Sequence, residues 1–266
     1  MPNKLFMKAI LLAAGYATRL YPLTRTTPKP LLPVAGLPTI EYVLRSIASI
    51  HLDRIYVVIN EKFADAYNRW LVQRGQNFNA GITLVNDGST DDSNKLGAIG
   101  DLYLAVVQEG IDDDILVIGA DNLFSEDLGP FGDFCRKKCA PVLGVRDIGD
   151  LEAIKKYSSI ETGHDGRIIS FEEKPAQPRS TLAGTALYFY PRATLPLIKK
   201  YVSEGNNPDQ PGKLVQWLYP RTPFYTWTVP GIWIDIGSKE TLDQASRTME
   251  QLKGDVEYAK CADERG

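Results

Sequence analysis

Cysteine and histidine are scarce in this chain, with three of the first (Cys135, Cys139, Cys261) and two of the second (His51, His164) among 266 residues. An odd cysteine count argues against a disulfide framework and fits a reducing compartment. Cys135 and Cys139 are spaced to share a helical face, but neither histidine is near them in sequence, which argues against a zinc site. No apolar run approaches the roughly 20 residues needed to cross a bilayer, and the opening residues 1–6 lack an apolar signal core. A cytoplasmic protein without membrane contact is the expectation. An excess of one charge is missing too: 30 Lys plus Arg against 33 Asp plus Glu leave a net charge of -3, which supplies no footprint for nucleic acid. An anionic ligand would need a local basic site. Two common nucleotide signatures are also absent. There is no G-x-x-x-x-G-K-[ST], and the loop after the first apolar run lacks the three glycines of the dinucleotide fingerprint, which disfavours a nicotinamide-dependent oxidoreductase.

What is present reads as an ordinary globular chain, 44% hydrophobic and 24% charged, long enough to bury a substantial core. Met7-Lys8-Ala9-Ile10-Leu11-Leu12-Ala13 is short, apolar and closed by Gly15, as expected of a strand buried on both faces. Ile40, Val43, Leu44, Ile47 and Ile50 follow helical spacing, with Pro38 where a first turn tolerates it. Extended runs at 54–59 and 82–85 flank a helical stretch at 64–72, so the order is βαβαβ and the sheet parallel with right-handed crossovers. A helix near 96–109 precedes Ile115-Leu116-Val117-Ile118-Gly119, which places Asp121 at the carboxyl end of a central strand, where open α/β sheets bind ligands. From about residue 140 strands dominate (142–145, 157–161, 167–171, 182–190, 225–229, 232–236). Helices are expected at 195–202, 213–219 and 241–252. The expectation is one domain over 1–252, with a first half near 7–139 and a second half near 140–252, followed by a loosely held tail at 253–266.

The candidate chemistry starts in the loop at 12–33. Small residues Ala13, Ala14 and Gly15 let backbone N–H groups approach a phosphate, while Arg19 and Lys29 offer fixed cations. A surface turn with incidental basic residues is the competing reading. Asp121 taken alone could be a turn or helix cap, and Asp235 a strand-end turn.

The run Leu12-Ala13-Ala14-Gly15-Tyr16-Ala17-Thr18-Arg19-Leu20-Tyr21-Pro22-Leu23-Thr24, continued by Pro28-Lys29-Pro30, resembles the signature of sugar-phosphate nucleotidyltransferases, G-G-x-G-T-R-L-x-P-L-T then P-K-P. That family includes glucose-1-phosphate thymidylyltransferases. Ala14 and Ala17 stand where two glycines are usual, and Tyr16 is bulky. Gly119-Ala120-Asp121-Asn122, Phe171-Glu172-Glu173-Lys174-Pro175, Leu182-Ala183-Gly184-Thr185 and Gly231-Ile232-Trp233-Ile234-Asp235-Ile236-Gly237 resemble further segments in the family's order. The resemblance implies an α/β fold with a Rossmann-like, mixed, mostly parallel sheet flanked by helices and a small sugar-binding subregion. It implies Mg²⁺ on Asp121 and Asp235, and catalytic roles for those two with Arg19 and Lys29. The NTP would meet Ala13, Ala14, Gly15, Tyr16, Ala17 and Thr18, with Asn86 and Gly97 offered to the base. The sugar phosphate would meet Asn122, Glu173, Lys174, Gly184 and Trp233, although Gly184 also reads as a bulge glycine.

The implied reaction joins an NTP, dTTP or UTP favoured, to a sugar 1-phosphate, glucose 1-phosphate favoured, and releases pyrophosphate. The alternatives are a cytidylyltransferase for another phosphorylated acceptor and a non-catalytic nucleotide-sugar-binding regulatory homologue. The segment 86–101 is longer and more acidic than the family's base-reading stretch, so the base stays open. Partners are the two substrates, with a homo-oligomer left open.

Overall fold

The computed structural model describes residues 7–74 and 80–263, with side chains through 252 and not at 74. The opening residues 1–6, the side chain of Cys261 and the end 264–266 lie outside that description.

The elements run in the order β1 (Met7–Leu12), β2 (Pro33–Val34), β3 (Leu37–Pro38), α1 (Thr39–Ser46), β4 (Arg54–Ile59), α2 (Ala64–Arg74), β5 (Gly81–Asn86), α3 (Ala98–Gln108), β6 (Asp114–Gly119), β7 (Asn122–Phe124) and α4 (Gly129–Lys138). They continue with β8 (Val142–Asp147), α5 (Leu151–Ile154), β9 (Ser158–Thr162), β10 (Ile168–Glu173), β11 (Leu182–Tyr190), α6 (Leu195–Ser203), α7 (Pro211–Leu218), β12 (Tyr225–Thr228), β13 (Trp233–Asp235) and α8 (Lys239–Asp263). Seven strands form one sheet in the order β12-β8-β11-β6-β1-β4-β5. β5, β4, β1 and β6 run parallel, β11 inserts antiparallel between β6 and β8, and β12 is parallel to β8. The expected mixed, mostly parallel sheet is thus formed, with β6 at its centre.

Both faces are covered, which is why the central strands are apolar throughout. Met7, Ala9 and Leu11 point to the side packed by Ile40, Leu44, Tyr67 and Phe131, whereas Ile10 points to the side packed by Ile99, Leu102, Ile198 and Leu214. Alternation of this kind is the two-residue period of a strand. A third cluster, Leu20, Leu32, Val34, Tyr42, Leu123, Ile234, Ile236, Leu242 and Met249, ties the loop after β1 to β7, β13 and α8. It fixes the phosphate-loop candidate relative to the two aspartate-bearing segments.

Several boundaries differ from the sequence expectation. α1 stops at Ser46, and Ile47 and Ile50 are buried in the turns beyond it. α7 begins at Pro211, inside the polar run 206–212, which serves as its lead-in. α8 continues to Asp263 instead of ending at Leu252, so the backbone of most of the expected tail is helical. β7, which pairs antiparallel with β13, follows Asp121 where no strand was expected. Among the described residues no helix is long and apolar enough to cross a membrane.

Candidate active site

β1 and β6 are neighbours with Leu12 beside Gly119, so the segments following them leave the sheet together. After β1 the carbonyls are drawn inward by fully buried donors. Tyr67 Oη donates to Ala13 O at 2.9 Å, Asn60 Nδ2 to Ala14 O at 2.8 Å and Thr24 Oγ1 to Ala17 O at 2.8 Å. In a trans peptide the N–H points opposite to the C=O. The N–H groups of Ala14, Gly15 and Thr18 therefore face away from that buried layer, an arrangement suited to an anion. A Cβ on Gly15 would meet nothing within 4 Å, so the protein leaves the space beside it open. Ala17 holds a left-handed backbone (φ 47°) at the entry to a short 3₁₀ turn carrying Arg19. That conformation costs an alanine roughly 1–2 kcal/mol. Burial of Leu20 and Leu32, each worth about 2 kcal/mol, offsets it.

Not every residue of the loop faces outward. The N–H of Ala13 donates to Val58 O at 2.9 Å and continues the β1–β4 ladder, so it is not a phosphate donor as the sequence suggested. The Tyr16 side chain is buried, its hydroxyl 2.9 Å from Ser89 Oγ, and it braces the loop against the 86–97 segment. Burial, first, pushes its phenol pKa up.

Asp121 follows β6, and Asp235 closes β13 beside it. Lys29 Nζ lies 2.6 Å from Asp121 Oδ2, and Asn122 Nδ2 donates to Asp121 Oδ1 at 2.8 Å. Asp235 stands opposite Asn122 in the β7–β13 ladder, and Ile236 N donates to Asp121 O at 3.2 Å. Burial and then the Asp121 charge push the Asp235 carboxyl up to about 6, against the opposing pull of Lys29, Arg19 and Lys174. Five of the sequence candidates thus share one electrostatic pocket. Gly119 permits this crowding, since a Cβ there would sit 2.7 Å from Asn122 Nδ2 and 3.0 Å from Asp121 Oδ1.

Asn122 and Trp233, both expected at the sugar phosphate, bond to each other. Asn122 is buried, and its Oδ1 accepts from Trp233 Nε1 at 2.8 Å, so both ends of the amide are engaged and it braces Asp121 from behind. Trp233 is held between that bond and an edge-on contact with Tyr157, ring centroids 5.5 Å apart.

The β9–β10 ribbon brings Glu173 and Lys174 in from the other side. Lys174 has a left-handed backbone (φ 50°) fixed by its N–H to Tyr157 O at 2.7 Å. Burial raises the Glu173 carboxyl, while Lys174 and Lys213 draw it back. Tyr188, unremarked in the sequence, is a buried phenol raised well above its usual range by burial and then by Tyr190, Glu173, Asp121 and Asp235. It underlies both groups of carboxylates. Its signal was an aromatic in the strand that follows Gly184.

Three further candidates are otherwise engaged. The N–H of Gly184 donates to Ser158 Oγ at 3.0 Å, and a Cβ there would meet Ser158 and Leu143, at the start of a bulge against β8. The Asn86 amide donates to Glu61 and accepts from Gly88 N. Gly97 takes φ +80° ahead of α3, with a Cβ there only 2.7 Å from Pro208 O, so packing accounts for that glycine.

Outward N–H groups after one parallel strand thus lie beside Asp121, which follows the neighbouring strand, and Asp235, which ends β13, at one end of an α/β sheet. The chain belongs to the Nucleotidyl transferase family, whose model matches residues 8–252. It is 30% identical over 249 residues to the UTP–glucose-1-phosphate uridylyltransferase of Synechocystis sp., covering 91% of this chain and 63% of that one. It is 28% identical to the glucose-1-phosphate thymidylyltransferase of Neisseria meningitidis serogroup A, covering 93% and 84%. The solved structure of a UDP-glucose pyrophosphorylase complexed with UDP-glucose shares the fold, with TM-score 0.77 and 23% identity over 92% of this chain and 99% of that one. The chain spans 57–63% of the length of the first three curated relatives it matches.

Proposed function

We propose that this chain transfers a nucleoside monophosphate from an NTP, dTTP or UTP, to a sugar 1-phosphate such as glucose 1-phosphate, with release of pyrophosphate. The observation that carries the reading is the convergence of Asp121, Asp235, Lys29, Arg19 and Lys174 beside the outward N–H groups of residues 14–18. Reaction between two anions needs fixed positive charge and alignment more than a proton acceptor, because the attacking phosphate oxygen is already ionised near neutral pH. Arg19 and Lys29 steady the triphosphate, and the N–H groups of Ala14, Gly15 and Thr18 hold its oxygens. Glu173 accepts hydrogen bonds from sugar hydroxyls and Lys174 meets the acceptor's phosphate.

The donor set fits Mg²⁺. Among the described residues no group of three or more acidic, histidine or cysteine side chains is placed to hold a metal. Mg²⁺ needs only one or two carboxylates, with waters and substrate phosphates completing its shell. Burial and then repulsion from Asp121 raise Asp235, and a cation held by the two carboxylates would relieve both. When bound, the ion would neutralise charge on the phosphates. The odd cysteine set supports a reducing, cytoplasmic setting for this reaction.

The deciding assay crosses dTTP, UTP, CTP, ATP and GTP with hexose 1-phosphates and follows pyrophosphate. Turnover with dTTP or UTP and glucose 1-phosphate is expected, and no pyrophosphate with any pair overturns the proposal.

A further inference from the structure

Gly212 is the second residue of α7, an eight-residue helix, and is buried. Glycine there is a poor choice on helix propensity alone, since alanine favours a helix by about 1 kcal/mol. Its backbone does not take a positive φ, so conformational freedom does not account for it. What does is the side chain opposite. A Cβ on Gly212 would fall 1.9 Å from Glu173 Oε2 and 2.5 Å from Glu173 Cδ. The Glu173 carboxylate therefore occupies the volume that any other residue at position 212 would fill.

The helix cannot retreat to make room. Its lead-in is pinned by Ile99 N donating to Pro208 O at 2.7 Å, by Tyr201 Oη donating to Asn207 O at 2.7 Å and by the Lys95–Asp209 ion pair. At its second turn Gln216 Oε1 accepts from Glu173 N at 3.3 Å and from Lys213 Nζ at 3.4 Å, which fixes the Glu173 backbone to the same helix. The movable part is the carboxylate itself, the far end of a flexible side chain.

We infer that Gly212 is a positioning residue for the acceptor pocket: by lacking a side chain it sets where the Glu173 carboxylate stands, and so which sugar hydroxyls that carboxylate can reach. The inference rests on the proposed role of Glu173 as the hydroxyl acceptor. Gly212→Ala should fold with an unchanged or higher thermal midpoint, because the helix gains a better former and only a side-chain end must move. With glucose 1-phosphate as the acceptor probe, its KM should rise about ten- to a hundredfold, the range for losing a hydrogen bond to a charged group, while the KM for the NTP stays within twofold. Shortening the acid in the same background, Gly212→Ala with Glu173→Asp, should recover part of the loss, a rescue that a purely structural glycine would not show. An unchanged acceptor KM in Gly212→Ala, beside an active wild type, overturns the inference and leaves the function standing. A wild type inactive across the substrate panel overturns the function and the inference with it.

Discussion

The two sides of the crevice are built by different means. On the nucleotide side, position is set by bonds between functional groups: Lys29 to Asp121, Asp121 to Asn122, Asn122 to Trp233. On the acceptor side it is set by backbone and by missing atoms: the left-handed Lys174, the absent side chain of Gly212 and the bulge that starts at Gly184. Under the proposed function the first arrangement would concentrate charge where phosphates meet, and the second would shape a surface for a ligand recognised by its hydroxyls. Chemistry and selectivity should therefore separate by mutation, the former sensitive to charge and the latter to volume.

The harshest way to break that contrast is to neutralise an aspartate. Asp121→Asn or Asp235→Asn should lower kcat by about a thousandfold in pyrophosphate release, in line with losing a charge that stabilises a phosphoryl-transfer transition state. A loss of tenfold or less would mean that charge is not what this side contributes. Lys29→Ala should follow at about a hundredfold, expressed in kcat/KM for the NTP more than in acceptor KM.

A third test concerns a second place where like charges meet, apart from Asp121 and Asp235. Asp101 on α3 is buried, its Oδ1 has no hydrogen-bond partner, and burial followed by Asp87 and Asp209 raises its carboxyl to about 8. Lys95, paired with Asp209, is the nearby cation on the same polar segments. Between pH 4 and 8 the folded chain holds a proton on Asp101 that the unfolded chain has released, so stability falls as pH rises through that window. Below and above it the contribution is flat. Asp101→Asn removes the slope. Urea unfolding should find the variant equal to wild type near pH 4 and more stable by about 2 kcal/mol or more at pH 8. Parallel pH profiles would show that Asp101 titrates without consequence.

The smallest expected effect is at the brace. Trp233→Phe keeps the ring but loses the N–H to Asn122, which should cost about 1 kcal/mol, seen as a several-fold drop in kcat with acceptor KM little changed.

Much of the frame was legible because its signals are local. The apolar run of β1, the strand ending at Gly119 and the aspartate after it could be read from periodicity and position, and Lys29 from a short motif. What escaped depends on partners far apart in the chain. Trp233 meets Asn122 across 111 residues and Tyr16 meets Ser89 across 73, and nothing in either local sequence records the match. Backbone roles were the second blind spot. Ala13 resembles its neighbours in sequence, yet its N–H belongs to a strand and theirs do not. Glycines were the third, because the same letter marks open space at Gly15, a turn at Gly97 and a vacated volume at Gly212.

The contact between Lys29 and Asp121 has one more implication. With its ammonium already satisfied by an internal anion, Lys29 gives an arriving nucleoside no attraction unless that molecule brings enough negative charge to compete. A bare nucleoside of the right shape would leave the pair closed, whereas a triphosphate can draw the lysine across and release the aspartate in one exchange. Under the proposed function the pair would make the pocket a discriminator of charge.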